Sequence, residues 1–353
     1  MSRNYLATHV TSAESATGAA RVCQVVSHER WISSTIIHEL NAPASAQIQG
    51  PTWLIRSADG LAPEPDLEAA DALWIAPGLL IAHNAWLRAL GREPLHLPAP
   101  SPRWLANLAA IAPELTGRAV VTAQAHEIRS WEHFPAELGT QSSPWSQLAR
   151  GRVSTFRAAR RSLGALQADL AAAPADSLIQ ISGQVDKISE EWRVIVSSSE
   201  PVAASGYCIH SPAGSQQILS VFDGAHFDPA HRERALDAAR QAARITGLDS
   251  ASIDLAFTST GTDSDSGFSA DSSSAGSSTG GPIVLEVNPL WCAAPYEYGP
   301  EGMARFLEAI RKSEACAREQ PEALSRAEGI FHPDPWMESE FSRRYAAFAS
   351  PSS

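Results

Sequence analysis

Two apolar segments, each carrying a single acid, constrain this chain more than any other feature. Ile253-Asp254-Leu255-Ala256-Phe257 and Ile283-Val284-Leu285-Glu286-Val287 are rich in the branched and aromatic residues that favour strands. Side chains alternate along a strand, so Asp254 lies on the face opposite Ile253 and Leu255. Glu286 likewise lies opposite Leu285 and Val287, with Asn288 on the face of Glu286. Once the two strands pair, three oxygen-bearing side chains converge. Magnesium is a hard cation that takes carboxylate and amide oxygens, and nucleotide sites commonly hold it through one or two carboxylates and the phosphates. Asp254, Glu286 and Asn288 are therefore the candidate metal ligands. Any one of them alone reads equally well as a solvated position at a strand end; the expectation rests on the whole run, Ile-Asp-Leu followed by Val-Leu-Glu-Val-Asn-Pro.

The stretch between the strands, Thr258 to Gly281, is almost entirely Ser, Gly, Thr, Asp and Ala, with Phe268 as its single large apolar residue. It has too little apolar surface to offset its ordering entropy, and disorder is expected. Pairing survives such a loop, because closure costs only about 0.6 kcal/mol more per doubling of length. Just upstream, Pro229 to Ile245 is the clearest predicted helix: Asp228 caps it, Pro229 suits its first turn and Gly247 stops it.

Leu163, Leu166 and Leu170 mark a helix that ends before Pro174, followed by strands at Leu178 to Ile181 and at Glu191 to Val196. Short apolar runs at Trp53 to Ile55 and Leu73 to Ile81 suit a small α/β lobe. Four prolines between Pro94 and Pro102 read as a linker, after which Trp104, Leu105, Leu108 and Ile111 recur at helical spacing. Residues 1–30 lack a period and are expected to be a flexible lead-in, with structure starting near Trp31. The expected layout is a mixed α/β (α+β) chain: a small α/β lobe over 31–100, a larger domain over 101–312 and a C-terminal tail over 313–353.

With 353 residues, 44% of them apolar, the chain can bury a substantial core. A net charge of −12 argues against nonspecific binding to nucleic acid or an anionic membrane. No apolar run is long enough to span a bilayer and no secretory leader is evident, so a cytoplasmic location is expected. Cys23, Cys208, Cys292 and Cys316 show neither disulfide-framework nor zinc-ligand spacing. No HExxH and no GxxxxGK[ST] occurs, and a literal GxSxG at Gly276 to Gly280 lies inside the Ser/Gly-rich loop, without the strand-to-helix turn a nucleophile needs. Only two lysines, Lys187 and Lys312, are present, so arginine carries nearly all positive charge.

The pair IDLAF (253–257) and VLEVNPLWCAAPYEYG (284–299) resembles the two metal-bearing strands of the ATP-grasp ligases, and IQISGQVDKISEEWRVIV (179–196) is similar to their hinge-and-strand segment. The likeness is to a branch found in bacteria and phages, with an acidic-aromatic-Arg triplet at that point, and it covers roughly residues 100–310. It implies the ATP-grasp fold, two α/β lobes gripping a nucleotide, preceded here by the small N-terminal lobe. It also implies ATP and Mg2+ as cofactors, with Asp254, Glu286 and Asn288 holding the metal. Backbone groups around Gln180, Ile181, Ser182 and Gly183 would face adenine, Glu191 would lie near the ribose or metal, and Arg193 would point at the phosphates.

The departure from the family is its phosphate-binding lysines. In PWSQLARGRVSTFRAARR (144–161), Gln147 and Arg152 stand where lysines are expected. Arginine binds phosphate bidentately and never loses its charge, so Arg152 is the expected substitute, with Arg193 the second cation of the catalytic step. Trp291, Tyr296 and Tyr298 follow the Asn288 turn and are candidates for a substrate pocket or for simple packing. The resemblance implies an ATP- and magnesium-dependent carboxylate-amine ligase acting on small-molecule or peptide carboxylates and amines through an acylphosphate. The alternative is a nucleotide-binding module that has lost turnover with its lysines.

Overall fold

The computed structural model describes residues 7–8, 20–42, 51–60, 64, 66–210, 218–220, 227–259, 281–320, 322 and 324–344. The Ser/Gly-rich stretch expected to be disordered lies almost wholly outside the described residues. The N-terminal lobe holds β1 (Ala7–Thr8), β2 (Arg21–Val26), α1 (Arg30–Asn41), β3 (Trp53–Ala58), β4 (Ala72–Ile75) and α2 (Pro77–Ala89). Its sheet order is β1-β3-β2-β4, with β2 parallel to both β3 and β4. Structure therefore starts before Trp31, inside the expected lead-in. The reason is packing: Cys23, Val25 and Val26 are buried at the centre of the sheet, a short apolar run hidden among small polar residues.

Next along the chain come β5 (Pro98–Pro100), α3 (Trp104–Ile111), α4 (Pro113–Thr116), β6 (Val120–Gln124), α5 (Ala125–Arg129), β7 (Trp145–Leu148), β8 (Ala159–Arg160), α6 (Leu163–Asp169) and β9 (Leu178–Ser182). Strands β6-β9-β7-β8 form an antiparallel sheet with β9 in its middle. The third set is β10 (Ile188–Ser197), β11 (Glu200–His210), β12 (Ile218–Ser220), α7 (Pro229–Thr246), β13 (Ala251–Thr258), β14 (Ile283–Asn288), α8 (Gly299–Glu319), β15 (Glu328–Ile330) and α9 (Pro335–Arg344). Its antiparallel sheet runs β12-β11-β10-β13-β14, so the Asp254 and Glu286 strands are neighbours.

Helices cover both faces of this larger sheet. On one face α7 presents Ala235, Ala238, Ala239, Ala242 and Ala243 to Trp192, Val194, Ile253 and Leu255; the row of small side chains lets the helix lie close to the strands. The Asp228 carboxylate accepts from the Ala230 N–H at its start, and Gly247 ends it in the left-handed region at φ 70°. On the other face, α8 lies between Ile195 and Ala203 of the large sheet and the N-terminal lobe, through Met303, Phe306, Leu307 and Ile310. Arg193 and Glu191 continue along this second face.

The Pro94–Pro102 segment is more than a linker, because β5 pairs with β15 from the far end of the chain. Residues beyond 313 likewise do more than trail. Trp336 and Met337 of α9 are buried against Ile179, Ile181 and Phe156 of the small-sheet core, and Trp336 stacks on Phe156. Asp334 fixes the junction, its carboxylate accepting from the Ser177 hydroxyl and the Leu178 N–H.

Candidate functional site

Asp254 and Glu286 sit directly opposite each other on β13 and β14. The register then shifts between Asp254 and Leu255, which pairs with Val284, so Leu285 is the extra residue of a bulge. Arg118 occupies that bulge, donating to the carbonyl oxygens of Val284 at 2.9 Å and Leu285 at 3.0 Å. Asn288 Nδ2 lies 3.0 Å from Glu286 Oε1 and 3.4 Å from Asp254 Oδ2. The three expected ligand side chains thus converge, with the Asn288 amide turned to donate to the two carboxylates.

Arg193, opposite Asp254 on β10, closes the cluster: Nε donates to Asp254 Oδ1 at 2.6 Å and Nη2 to Oδ2 at 2.7 Å. Its Nη1 reaches the Ala294 carbonyl at 3.2 Å. Burial works against its charge, but the Asp254 carboxylate outweighs this and holds the guanidinium pKa well above its usual value. The fork of Arg193, expected to face phosphate, is committed here to a carboxylate that is 1% exposed.

Glu286 is different. Its side chain remains 28% exposed, and burial together with the neighbouring Asp254 carboxylate pushes its pKa up to about 7. Arg152 Nη2 approaches Glu286 Oε1 to 3.9 Å, and the Arg152 side chain is 89% exposed. It comes from the turn after β7, so the two arginines reach the acidic pair from two different sheets. Gln147 stays on β7, where its amide oxygen accepts from the Trp145 indole. Other arginines of that segment are tied down elsewhere: Arg150 on the Pro100 and His332 carbonyls, and Arg161 on Asp169 and Ser146.

Three of the four expected hinge residues lie within β9. Gln180, Ile181 and Ser182 are buried in β9 and paired to β6 on one side and β7 on the other, so their backbone groups serve the ladders. The Gly183 N–H bonds the Ala119 carbonyl. Backbone outside the ladders begins after Gly183 and runs to Lys187, which takes a left-handed φ of 54° where the chain passes from one sheet to the other.

Glu191 lies on the same face as Arg193, one alternation step away. Its carboxylate accepts from the Tyr207 hydroxyl and contacts His210. Burial, with Asp254 and Glu191 nearby, holds the Tyr207 pKa well above the usual phenol range and keeps it a donor. Tyr207 stacks on Tyr296 at 4.8 Å, and the Arg193 guanidinium lies over both rings. Of the three aromatics after the Asn288 turn, Tyr296 is thus at the cluster, whereas Trp291 and Tyr298 are buried core residues. Sequence reasoning missed Tyr207 and Arg118. Gly206, a glycine inside a strand, was a readable sign of the irregularity beside Tyr207; nothing local to Arg118 betrays its contact across the fold.

Comparison with protein-family models finds no match, and comparison with curated proteins finds none either. Among solved structures, the chain is similar to a D-alanine–D-alanine ligase from Bacillus anthracis, at 12% identity and a TM-score of 0.44 over 85% of this chain and 99% of that one. The same ligase complexed with ATP matches at 11% identity and a TM-score of 0.41 over the same shares, 85% and 99%. A RimK domain protein ATP-grasp from Sphaerobacter thermophilus DSM 20745 matches at 14% identity and a TM-score of 0.44 over 82% of this chain and 99% of that one.

Proposed function

We propose that the chain is an ATP-grasp-type enzyme that joins a carboxylate to an amine at the expense of ATP, with Mg2+ held between the five-stranded sheet and the β6-β9-β7-β8 sheet. The observation that carries this reading is the Asp254–Glu286–Asn288 cluster, two carboxylates and an amide on adjoining strands, approached by Arg193 from within its own sheet and by Arg152 from the facing one. The donor set fits a hard cation, with the partly open Glu286 best placed to receive it. Asp254 and Asn288 would join once the Asn288 amide presents its oxygen and Arg193 shares Asp254. Bound there, Mg2+ would neutralise phosphate charge and orient the nucleotide.

The chemistry this supports begins with attack of a substrate carboxylate oxygen on the γ-phosphorus, breaking the bond to the β,γ-bridging oxygen and releasing ADP. An amine then attacks the acylphosphate carbon, phosphate leaves, a proton is lost to solvent and an amide results. Arg152 is the cation free enough to follow a phosphoryl group as its charge shifts, and Arg193 supplies fixed positive potential beneath the cluster. The coil 184–187 between β9 and β10 is where backbone groups would meet adenine.

A second reading, a nucleotide-binding module without turnover, is favoured by the closed fork of Arg193 on Asp254. The two readings separate in one assay. ADP release from Mg·ATP is measured against a panel of amino acids and short acidic peptides, offered singly and in pairs. Release that requires both a carboxylate and an amine supports the ligase; stabilisation by Mg·ATP with no ADP across the panel supports the module.

A further inference from the structure

Beside the magnesium-type cluster, a second group of side chains gathers around one point. His210 Nε2 lies 2.6 Å from Glu191 Oε1 and 3.4 Å from Cys208 Sγ. Among the described residues, these are three potential metal-ligand atoms that all lie within 4.8 Å of one another. A bulge builds the group. Trp192 pairs with Gly206 but Glu191 pairs with Cys208, so Tyr207 is an extra residue in β11. In a regular ladder Tyr207 would stand opposite Glu191; the bulge puts Cys208 there instead, and His210, two residues on, shares its face.

A Cys, a His and a Glu in contact suggest a nucleophilic triad, but in a triad the thiol and the carboxylate engage different nitrogens of the imidazole. Here sulfur and oxygen both lie against Nε2, which gives no relay. Convergence of sulfur, nitrogen and oxygen on one another is how the ligands of a metal ion stand. Zinc–sulfur and zinc–nitrogen bonds of about 2.3 and 2.05 Å at a tetrahedral angle put sulfur and nitrogen about 3.5 Å apart, close to the separation here. The Glu191 oxygen would withdraw from its hydrogen bond to about 3.4 Å from the nitrogen to take its own ligand position. The other Glu191 oxygen already accepts from Tyr207, the kind of outer hydrogen bond that orients a ligating carboxylate.

We propose that Glu191, Cys208 and His210 form a binding site for a borderline-soft divalent cation of the zinc class, separate from the all-oxygen cluster that suits magnesium. As the cation binds, the Cys208 thiol proton passes to solvent and the thiolate sulfur, His210 Nε2 and a Glu191 oxygen become three ligands, with water as the fourth. Cys208 is 3% exposed, while the His210 and Glu191 side chains are 27% and 19% exposed, so the ion enters past the latter two. Mg2+, which demands oxygen ligands, is excluded by the sulfur and nitrogen. Glu191 would be drawn into this site and away from any nucleotide.

The test uses the full chain with neither nucleotide nor magnesium, so its outcome is independent of the ligase reading. Zn2+ is titrated by calorimetry and Co2+ by absorption, which reports a thiolate ligand as a near-ultraviolet charge-transfer band. Wild type is expected to bind both ions and to show the band. Cys208→Ser should abolish the band and weaken Zn2+ binding by more than about tenfold, since loss of even an outer-shell partner commonly costs 10–100-fold. Cys292→Ser should keep both. No band in wild type, or a band that persists in Cys208→Ser, would overturn the site. Should Cys208→Ser lose its fold by circular dichroism, the partly exposed His210→Ala carries the test: tenfold weaker Zn2+ binding is expected, and unchanged affinity would overturn the proposal.

Discussion

Glu286 and Arg193 face the same acid, Asp254, and their different exposure gives them opposite consequences. Because the Glu286 pKa is raised from 4.5 to about 7, the folded chain holds a proton there that the unfolded chain releases. Stability from this group is therefore present below about pH 4.5 and is lost as pH rises to 7, a change on the order of 3 kcal/mol. Glu286→Gln should flatten this part of the stability–pH profile and leave the unliganded variant more stable than wild type at pH 8, read by urea unfolding. Magnesium-dependent nucleotide binding should strengthen through the same interval, as the carboxylate ionises. Arg193→Lys keeps the charge and loses the fork. Removing a partner from a buried ion pair costs about 3–5 kcal/mol, and the lysine should cost about 1–3 kcal/mol, because one point charge replaces two aligned donors. Equal stability of Arg193→Lys and wild type would mean that the Arg193–Asp254 fork contributes nothing to the fold.

Strands explain why part of the site was legible and part was not. Alternation along Ile253 to Phe257 and Val284 to Asn288 was enough to place Asp254, Glu286 and Asn288 on one face, because period-2 geometry is local. Bulges are not local. The extra residues Leu285 and Tyr207 decide which side chains Arg118 and Glu191 meet, and each depends on the register of a partner strand distant in sequence. The same holds for Gln180 to Ser182, whose backbone is flanked by β6 and β7, strands distant in sequence or unmarked by local pattern. Arg118→Ala tests the aim of the Glu286 strand. Freed carbonyls at Val284 and Leu285 should cost about 1.5–3 kcal/mol in urea unfolding and also weaken Mg·ATP binding, although Arg118 contacts none of the candidate ligands. Unchanged nucleotide binding would mean that the bulge does not aim Glu286. Ala256 pairs with Ile283, so β13 and β14 end side by side, and a short Gly-containing turn can replace Thr258 to Gly281. Tm and nucleotide binding should stay near those of the full chain; loss of either would make the segment a working part of the site.

At the scale of the molecule, the α/β character, the N-terminal lobe and the paired acidic strands follow from local patterns in the sequence. The outer segments do not: β2 and α9 earn their places through burial against distant residues, as Cys23 and Trp336 show. At the candidate site the large sheet offers Asp254, Glu286, Asn288 and Arg193, and the small-sheet side brings Arg152. The most direct measurement is the ligand-induced rise in Tm for ATP and Mg2+, given separately and together, in wild type and Glu286→Gln. At about 100 times its dissociation constant, a ligand of the folded state adds roughly 2.7 kcal/mol. The expected result is a clear rise with Mg·ATP, a smaller one with ATP and chelator, and no magnesium-dependent increment in Glu286→Gln. An equal rise with and without Mg2+, or a full increment retained in Glu286→Gln, would contradict the assignment of this cluster as the nucleotide-metal site.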